Sequence, residues 1–144
     1  MERLEDVIFY KLENAIKSYR QIAQRNISVS GIDLTVDQWL IMNVILGNKN
    51  IKQNEIAIMV FKDAASVTRI IDLLIKKNFI TRELHHTDQR RALLTLTQSG
   101  KKILKKVQVI IKQNRKLAIK GISDNEIKVM SKNLSVIILN CKTE

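Results

Sequence analysis

Apolar residues recur along most of this chain at the three- and four-residue spacing of an α-helix. Between residues 3 and 25, Leu4, Val7, Ile8, Leu12, Ala15, Ile16, Tyr19, Ile22 and Ala23 fall on one stripe, which predicts an amphipathic helix. Residues 26–33 read as a connector. A second helix is predicted from Thr35, whose side chain can form a capping box with Gln38, to Gly47, because glycine suits the left-handed stop of a helix. Val36, Trp39, Leu40 and Val44 are its apolar positions, with Ile41 and Ile45 as further candidates. Two short helices follow, over residues 52–60 and 63–77. Ile56, Ala57 and Val60 face inward in the first; Val67, Ile70, Ile71 and Leu74 do so in the second, with Asp63 as its N-cap. The joint between them is short and centred on Phe61 and Lys62, which is the pattern of a helix-turn-helix.

The helical spacing then stops. Residues 79–84 and 92–96 read as two short strands, and the polar run His85, His86, Thr87, Asp88, Gln89, Arg90, Arg91 lies between them. A hairpin with a charged tip directly after a helix-turn-helix makes a winged helix. Thr97 caps a long predicted helix over 98–119, which Gly121 ends, and Ser123 with Glu126 caps a last one carrying Ile127, Met130, Leu134, Ile137, Ile138 and Cys141. The expected fold is mainly α with a small β-hairpin wing.

Charge sharpens this picture. The chain has 144 residues and a net charge of +11, so a polyanion is the expected partner, nucleic acid ahead of a membrane surface. Residues 55–106 hold 11 Lys/Arg against 5 Asp/Glu, the largest excess, and they contain the helix-turn-helix and the wing. No apolar run approaches the roughly 20 residues that span a bilayer, and the charged start of the chain is unlike a signal peptide, so a cytoplasmic protein without membrane contact is expected. One cysteine excludes an internal disulfide. No nucleophile elbow, phosphate loop or metal-ligand cluster is present, which argues against an enzyme, a cofactor or a metal.

Three stretches resemble the multiple antibiotic resistance regulator (MarR) family. Leu34-Thr35-Val36-Asp37-Gln38-Trp39-Leu40 looks like the family's second helix. Gln53-Asn54-Glu55-Ile56-Ala57, followed by residues 66–80, looks like its helix-turn-helix. Asp88-Gln89-Arg90, then a strand and Leu96-Thr97-Gln98-Ser99-Gly100, looks like its wing motif. Lys52 stands where the family usually has a capping Thr or Ser, so Asn50 with Gln53 is expected to cap instead. Asn78 stands where the family usually has Gly; asparagine is the next-best residue for a left-handed turn.

A recognition helix needs small or hydrogen-bonding side chains at its N-terminal end, because bulk there holds it out of the major groove. Ala64, Ala65, Ser66, Thr68 and Arg69 fit. Gln53 is expected to contact the DNA backbone. Arg90 and Arg91 at the wing tip suit the narrow, electronegative minor groove. The resemblance implies that Arg90 enters or borders that groove and that Asp88 orients the wing through a salt bridge. His85 and His86 read as a solvated loop, Cys141 as a buried, inert thiol, and the pairs Lys101-Lys102 and Lys105-Lys106 as a solvated face.

The terminal helices carry apolar stripes longer than a small winged helix covers, which predicts a partner. The chain is expected to be a single unit, with dimerisation helices at 1–30 and 98–144 and the DNA-binding lobe at 33–97. A two-fold dimer sets two recognition helices about 34 Å apart on a pseudo-palindromic site. The resemblance implies the same homodimer, acting as a transcriptional repressor on double-stranded DNA and released by a small aromatic or phenolic effector, with Tyr19 and Trp39 as candidate lining. The rival reading is a winged helix that binds protein or RNA and has no operator.

Overall fold

The computed structural model describes residues 1–84, 87 and 92–142. Among them the order is a 3-10 turn (Leu4–Asp6), α1 (Ile8–Val29), α2 (Val36–Gly47), α3 (Gln53–Met59), α4 (Ala64–Lys76), β1 (Ile80–Leu84), β2 (Ala92–Leu96), α5 (Gln98–Ala118) and α6 (Asp124–Cys141). The strands pair antiparallel, with Ile80 opposite Leu96 and Leu84 opposite Ala92. The fold is mainly α with a hairpin wing, as the hydrophobic spacing predicted.

The chain divides into two compact units, residues 1–114 and 115–144. The core of the first gathers Ile27 of α1, Ile41 and Met42 of α2, Ile56 of α3, Val67, Ile71 and Leu74 of α4, Ile80 of β1, and Val107 and Ile111 of α5. α2 buries Gln38, Trp39, Ile41, Met42 and Ile45, a face broad enough to meet neighbours on several sides. In the second unit, Gly121 turns the chain at φ +87°. The predicted capping box is formed there: Ser123 Oγ accepts from the Glu126 amide at 3.1 Å, and Glu126 Oε2 accepts from the Ser123 amide at 2.8 Å.

Several boundaries differ from expectation. α1 runs on to Val29 because Ile27 is fully buried and Asn26 Nδ2 donates to Asn114 Oδ1 at 2.6 Å; tertiary contacts carry the helix through the supposed connector. α2 does stop at Gly47, but not through a left-handed glycine. The next residue, Asn48, is extended, and its Nδ2 donates to the carbonyl of Val44 at 2.8 Å. Lys52, not Asn50, is the N-cap of α3; Glu55 Oε2 accepts its amide at 3.2 Å, and Asn50 instead makes a left-handed turn at φ 57°. Cys141 is exposed rather than buried, because no residue of α6 is buried within the chain.

Each helix of the helix-turn-helix ends in a turn of the same design. At the end of α4, the Asn78 amide donates to the carbonyl of Ile75 and the Phe79 amide to that of Leu74, both at 2.9 Å. This is a Schellman motif, and Asn78 supplies its left-handed residue at φ 62°. At the end of α3, the Phe61 amide reaches the carbonyl of Ile58 at 3.3 Å and the Lys62 amide that of Ala57 at 3.0 Å. Phe61 is the left-handed residue there, at φ 59°. Asparagine suits that conformation, whereas a bulky phenylalanine is strained in it by about 1–2 kcal/mol.

Candidate nucleic-acid interface

α4 is amphipathic because Val67, Ile71 and Leu74 recur at helical spacing and are all fully buried. Anchoring that stripe turns the opposite face outward. Ala64, Ala65, Thr68 and Arg69 are exposed and Ser66 is half-buried, so the residues expected for groove reading lie together on the first two turns.

The start of the helix is well capped. Asp63 Oδ1 accepts the Ser66 amide at 2.8 Å, and Oδ2 accepts the Ser66 hydroxyl at 2.7 Å. The hydroxyl bond, then the amide bond, hold the Asp63 carboxyl below the usual carboxylate range. Arg69 Nη2 in turn donates to Ser66 Oγ at 3.2 Å. Thr68 donates its hydroxyl proton to the carbonyl of Ala64 at 2.9 Å and accepts from Gln53 Nε2 at 2.6 Å. The start of α3 is thereby joined to the recognition helix, a link that sequence reasoning did not anticipate.

These bonds divide the chemistry. A hydroxyl has one proton to donate. In Ser66 and Thr68 that proton is engaged within the chain, so neither can donate to a phosphate without breaking a bond already made. Arg69 has five N–H donors and Gln53 two, and each spends one in the bonds above. Both side chains therefore keep N–H donors that these bonds do not use.

The wing is rooted by polar contacts. The Thr97 amide donates to the carbonyl of Phe79 at 3.0 Å, and its hydroxyl donates to the carbonyl of Asn78 at 2.7 Å. Thr97 Oγ1 also accepts the Gly100 amide at 2.9 Å, the predicted cap of α5. Arg82 of β1 pairs with Asp72 of α4 at 3.0 Å, which braces the hairpin against the recognition helix. The sequence carries no specific signal for that pair, since opposite charges ten residues apart are common. Asp88, Arg90 and Arg91, with His85 and His86, lie outside the described residues.

Tyr19 is half-buried on α1. Trp39 is 4% exposed and belongs to the core. A cleft of about 520 Å³ opens between α2 and α5, with Leu46 and Leu104 as apolar lining and Lys101, Lys102 and Lys105 beside them; neither aromatic is among its lining residues. Three of the lysines read as a solvated face therefore line a cavity. Among the described residues no group of His, Cys, Asp or Glu is arranged to hold a metal, and no helix is long and apolar enough to cross a membrane.

Comparison with known proteins places this geometry. The model of the MarR family matches residues 34–92. A putative transcriptional regulatory protein for the hcr operon of Thauera aromatica is 26% identical over 108 residues, which cover 74% of this chain and 64% of that relative, so the match spans under two thirds of its length. The HTH-type transcriptional repressor IacR of Pseudomonas putida is 21% identical over 98% of this chain and 83% of its own. The structure of CouR from Rhodococcus jostii RHA1, bound to p-coumaroyl-CoA, has the same fold, with a TM-score of 0.84, 18% identity and complete coverage of both chains. The MarR family model lies on residues 34–92, the lobe that runs from α2 into the wing, and the fold shared with solved MarR-family regulators extends along the whole chain.

Proposed function

We propose that this protein is a transcriptional regulator that binds double-stranded DNA as a homodimer on a pseudo-palindromic operator and represses until a small effector binds. The observation that carries the reading is the outer face of α4. Its first two turns present Ala64 and Ala65, which permit close approach, and Arg69, whose free donors suit a guanine edge or a phosphate. Gln53 sits beside them as a backbone-positioning donor. Arg90 and Arg91 complete the contact from the wing, with Asp88 as an internal clasp.

Homodimerisation is supported by the apolar residues that each unit leaves uncovered. Leu4, Ile8, Phe9 and Ile16 are more than half exposed in the first, and Val129, Ile138 and Leu139 in the second. A stripe of this kind is normally covered by a partner, and residues 1–30 and 98–144 are the segments we assign to the dimer. The α2–α5 cleft is the site we assign to the effector. Its apolar lining suits an aromatic or phenolic body and its lysines suit an acidic substituent. Neither Tyr19 nor Trp39 lines that cleft, so neither is assigned to the effector. The activity is binding rather than catalysis, on cytoplasmic DNA.

Selection of bound sequences from random double-stranded DNA tests the reading. A palindrome with half-sites about one helical turn apart is expected. Absence of enrichment, or equal affinity for RNA, would overturn it.

A further inference from the structure

Lys62 lies in the turn between α3 and α4, immediately before Asp63, the N-cap of the recognition helix. Its ammonium is 3.0 Å from Asp37 Oδ2, and both side chains are about 70% buried. The other oxygen of Asp37, Oδ1, accepts from Arg20 Nη1 at 3.0 Å. Arg20 belongs to α1 and Asp37 to the first turn of α2, where the helix amides also favour an anion. One carboxylate thus joins three elements: a helix assigned to the dimer, the central helix of the lobe, and the turn that launches α4. Burial pushes the Asp37 carboxyl up, and the hydrogen bonds and charges of Lys62 and Arg20 more than offset it, leaving it below the usual range.

We propose that Asp37 is a positioning residue for DNA recognition: by holding Lys62 and Arg20 at once, it fixes the start of the recognition helix relative to α1. The inference rests on the DNA-binding reading above. A lysine in the turn of a helix-turn-helix would otherwise extend toward a phosphate. Here it is drawn inward, and its four-carbon stem stays partly buried. Its charge orients the turn rather than the DNA. Arg20 is the informative member, because α1 contributes none of the assigned DNA contacts and its influence on affinity must pass through Asp37.

The test uses the full chain and the sequence selected from random DNA. Asp37→Asn, Arg20→Gln, the double variant and Asp37→Glu are compared for affinity, salt dependence, dimer content and thermal unfolding. Each single variant is expected to bind about five-fold more weakly at unchanged dimer content. The double variant should lose no more than the single ones, and Asp37→Glu should recover most of the affinity. The salt slope should stay unchanged. If Asp37→Asn binds as tightly as wild type, or more tightly with a slope steeper by about one phosphate contact, Lys62 is a withheld DNA ligand and the inference fails. Additive losses in the double variant would overturn it too. A wild-type protein without sequence preference would overturn the parent reading, and this inference with it.

Discussion

Gly100→Ala should destabilise the protein, although alanine is the better helix former. Gly100 lies in the first turn of α5, where a Cβ would sit 2.2 Å from the carbonyl oxygen of Phe79. Carbon and oxygen in unbonded contact rest about 3.4 Å apart, so helix and strand root must separate by about 1 Å. That oxygen already accepts the Thr97 amide at 3.0 Å, so the displacement stretches the bond that seats α5 on the wing. Overpacking costs about 1–3 kcal/mol and a weakened hydrogen bond about 0.5–1.5 kcal/mol, while the helix propensity of alanine returns about 1 kcal/mol. The net expectation is a loss of about 0.5–3.5 kcal/mol. Gly47→Ala is the internal control. Gly47 is helical, has no positive φ, and a Cβ there would meet nothing within 4 Å, so the same substitution should be neutral or stabilising. Urea unfolding at one fixed protein concentration measures both and holds any self-association constant. A Gly100→Ala protein as stable as wild type would refute the close approach.

Phe61→Gly should raise stability by up to about 1 kcal/mol, the left-handed strain of a bulky residue less the entropy of glycine; a loss in urea unfolding would show that Phe61 is held by contacts instead. Arg69→Ala should weaken binding to the selected DNA about ten-fold or more and relax preference at one base pair per half-site if it reads a guanine, whereas Thr68→Val should cost less, because its hydroxyl proton is engaged with Ala64. Asp37 has a depressed pKa in the folded chain, so its contribution to stability is full above the ordinary value of 3.8 and is lost as pH falls through the lower folded value. An Asp37→Asn protein should therefore show a shallower loss of stability below about pH 4 in acid titration followed by circular dichroism.

Much of the fold was legible because it rests on local chemistry. Thr35 with Gln38, Ser123 with Glu126, and Thr97 before Gly100 announce helix starts through atoms only a few residues apart. Asn78 announces a left-handed turn because its short polar side chain tolerates one. Phe61 occupies the equivalent place in the turn after α3 and gives no such sign. The helix end is set there by the burial of Val60, one residue earlier, which leaves Phe61 to take whatever conformation the turn requires. The extension of α1 was invisible for a related reason, since the partner of Asn26 lies 88 residues away.

The candidate site divides along the same line. Small residues and an arginine at the start of α4 could be read from helical spacing, because Val67, Ile71 and Leu74 fix which face turns outward. What those side chains have left to offer could not. Ser66 and Thr68 offer hydroxyl donors in the sequence, and only the structure shows that those protons are engaged with Asp63 and Ala64. The two lysine pairs of α5 are exposed, as a solvated face requires; that three of them also border a cleft beside α2 could not be read from the sequence.

α4 is held in two physically different ways. Its middle is fixed by apolar packing, which salt and moderate pH leave nearly unchanged. Its ends are held by the Asp63 cap and the Asn78 turn, and ion pairs flank them. Lys62 reaches Asp37 ahead of the helix. Lys77, just after it, is 3.3 Å from Asp33 and donates to the Asp33 carbonyl at 3.0 Å, and Asp72 near its end pairs with Arg82. One of these three clamps leads to the first turn of α2, one to the segment between α1 and α2, and the third to the wing. A change in the placement of α1 or α2 can therefore pull on the ends of the recognition helix without disturbing its core. In the proposed reading, an effector seated beside α2 has a polar connection to the start of α4 through Asp37 and Lys62, whereas α5, the other wall of the cleft, takes no part in these clamps.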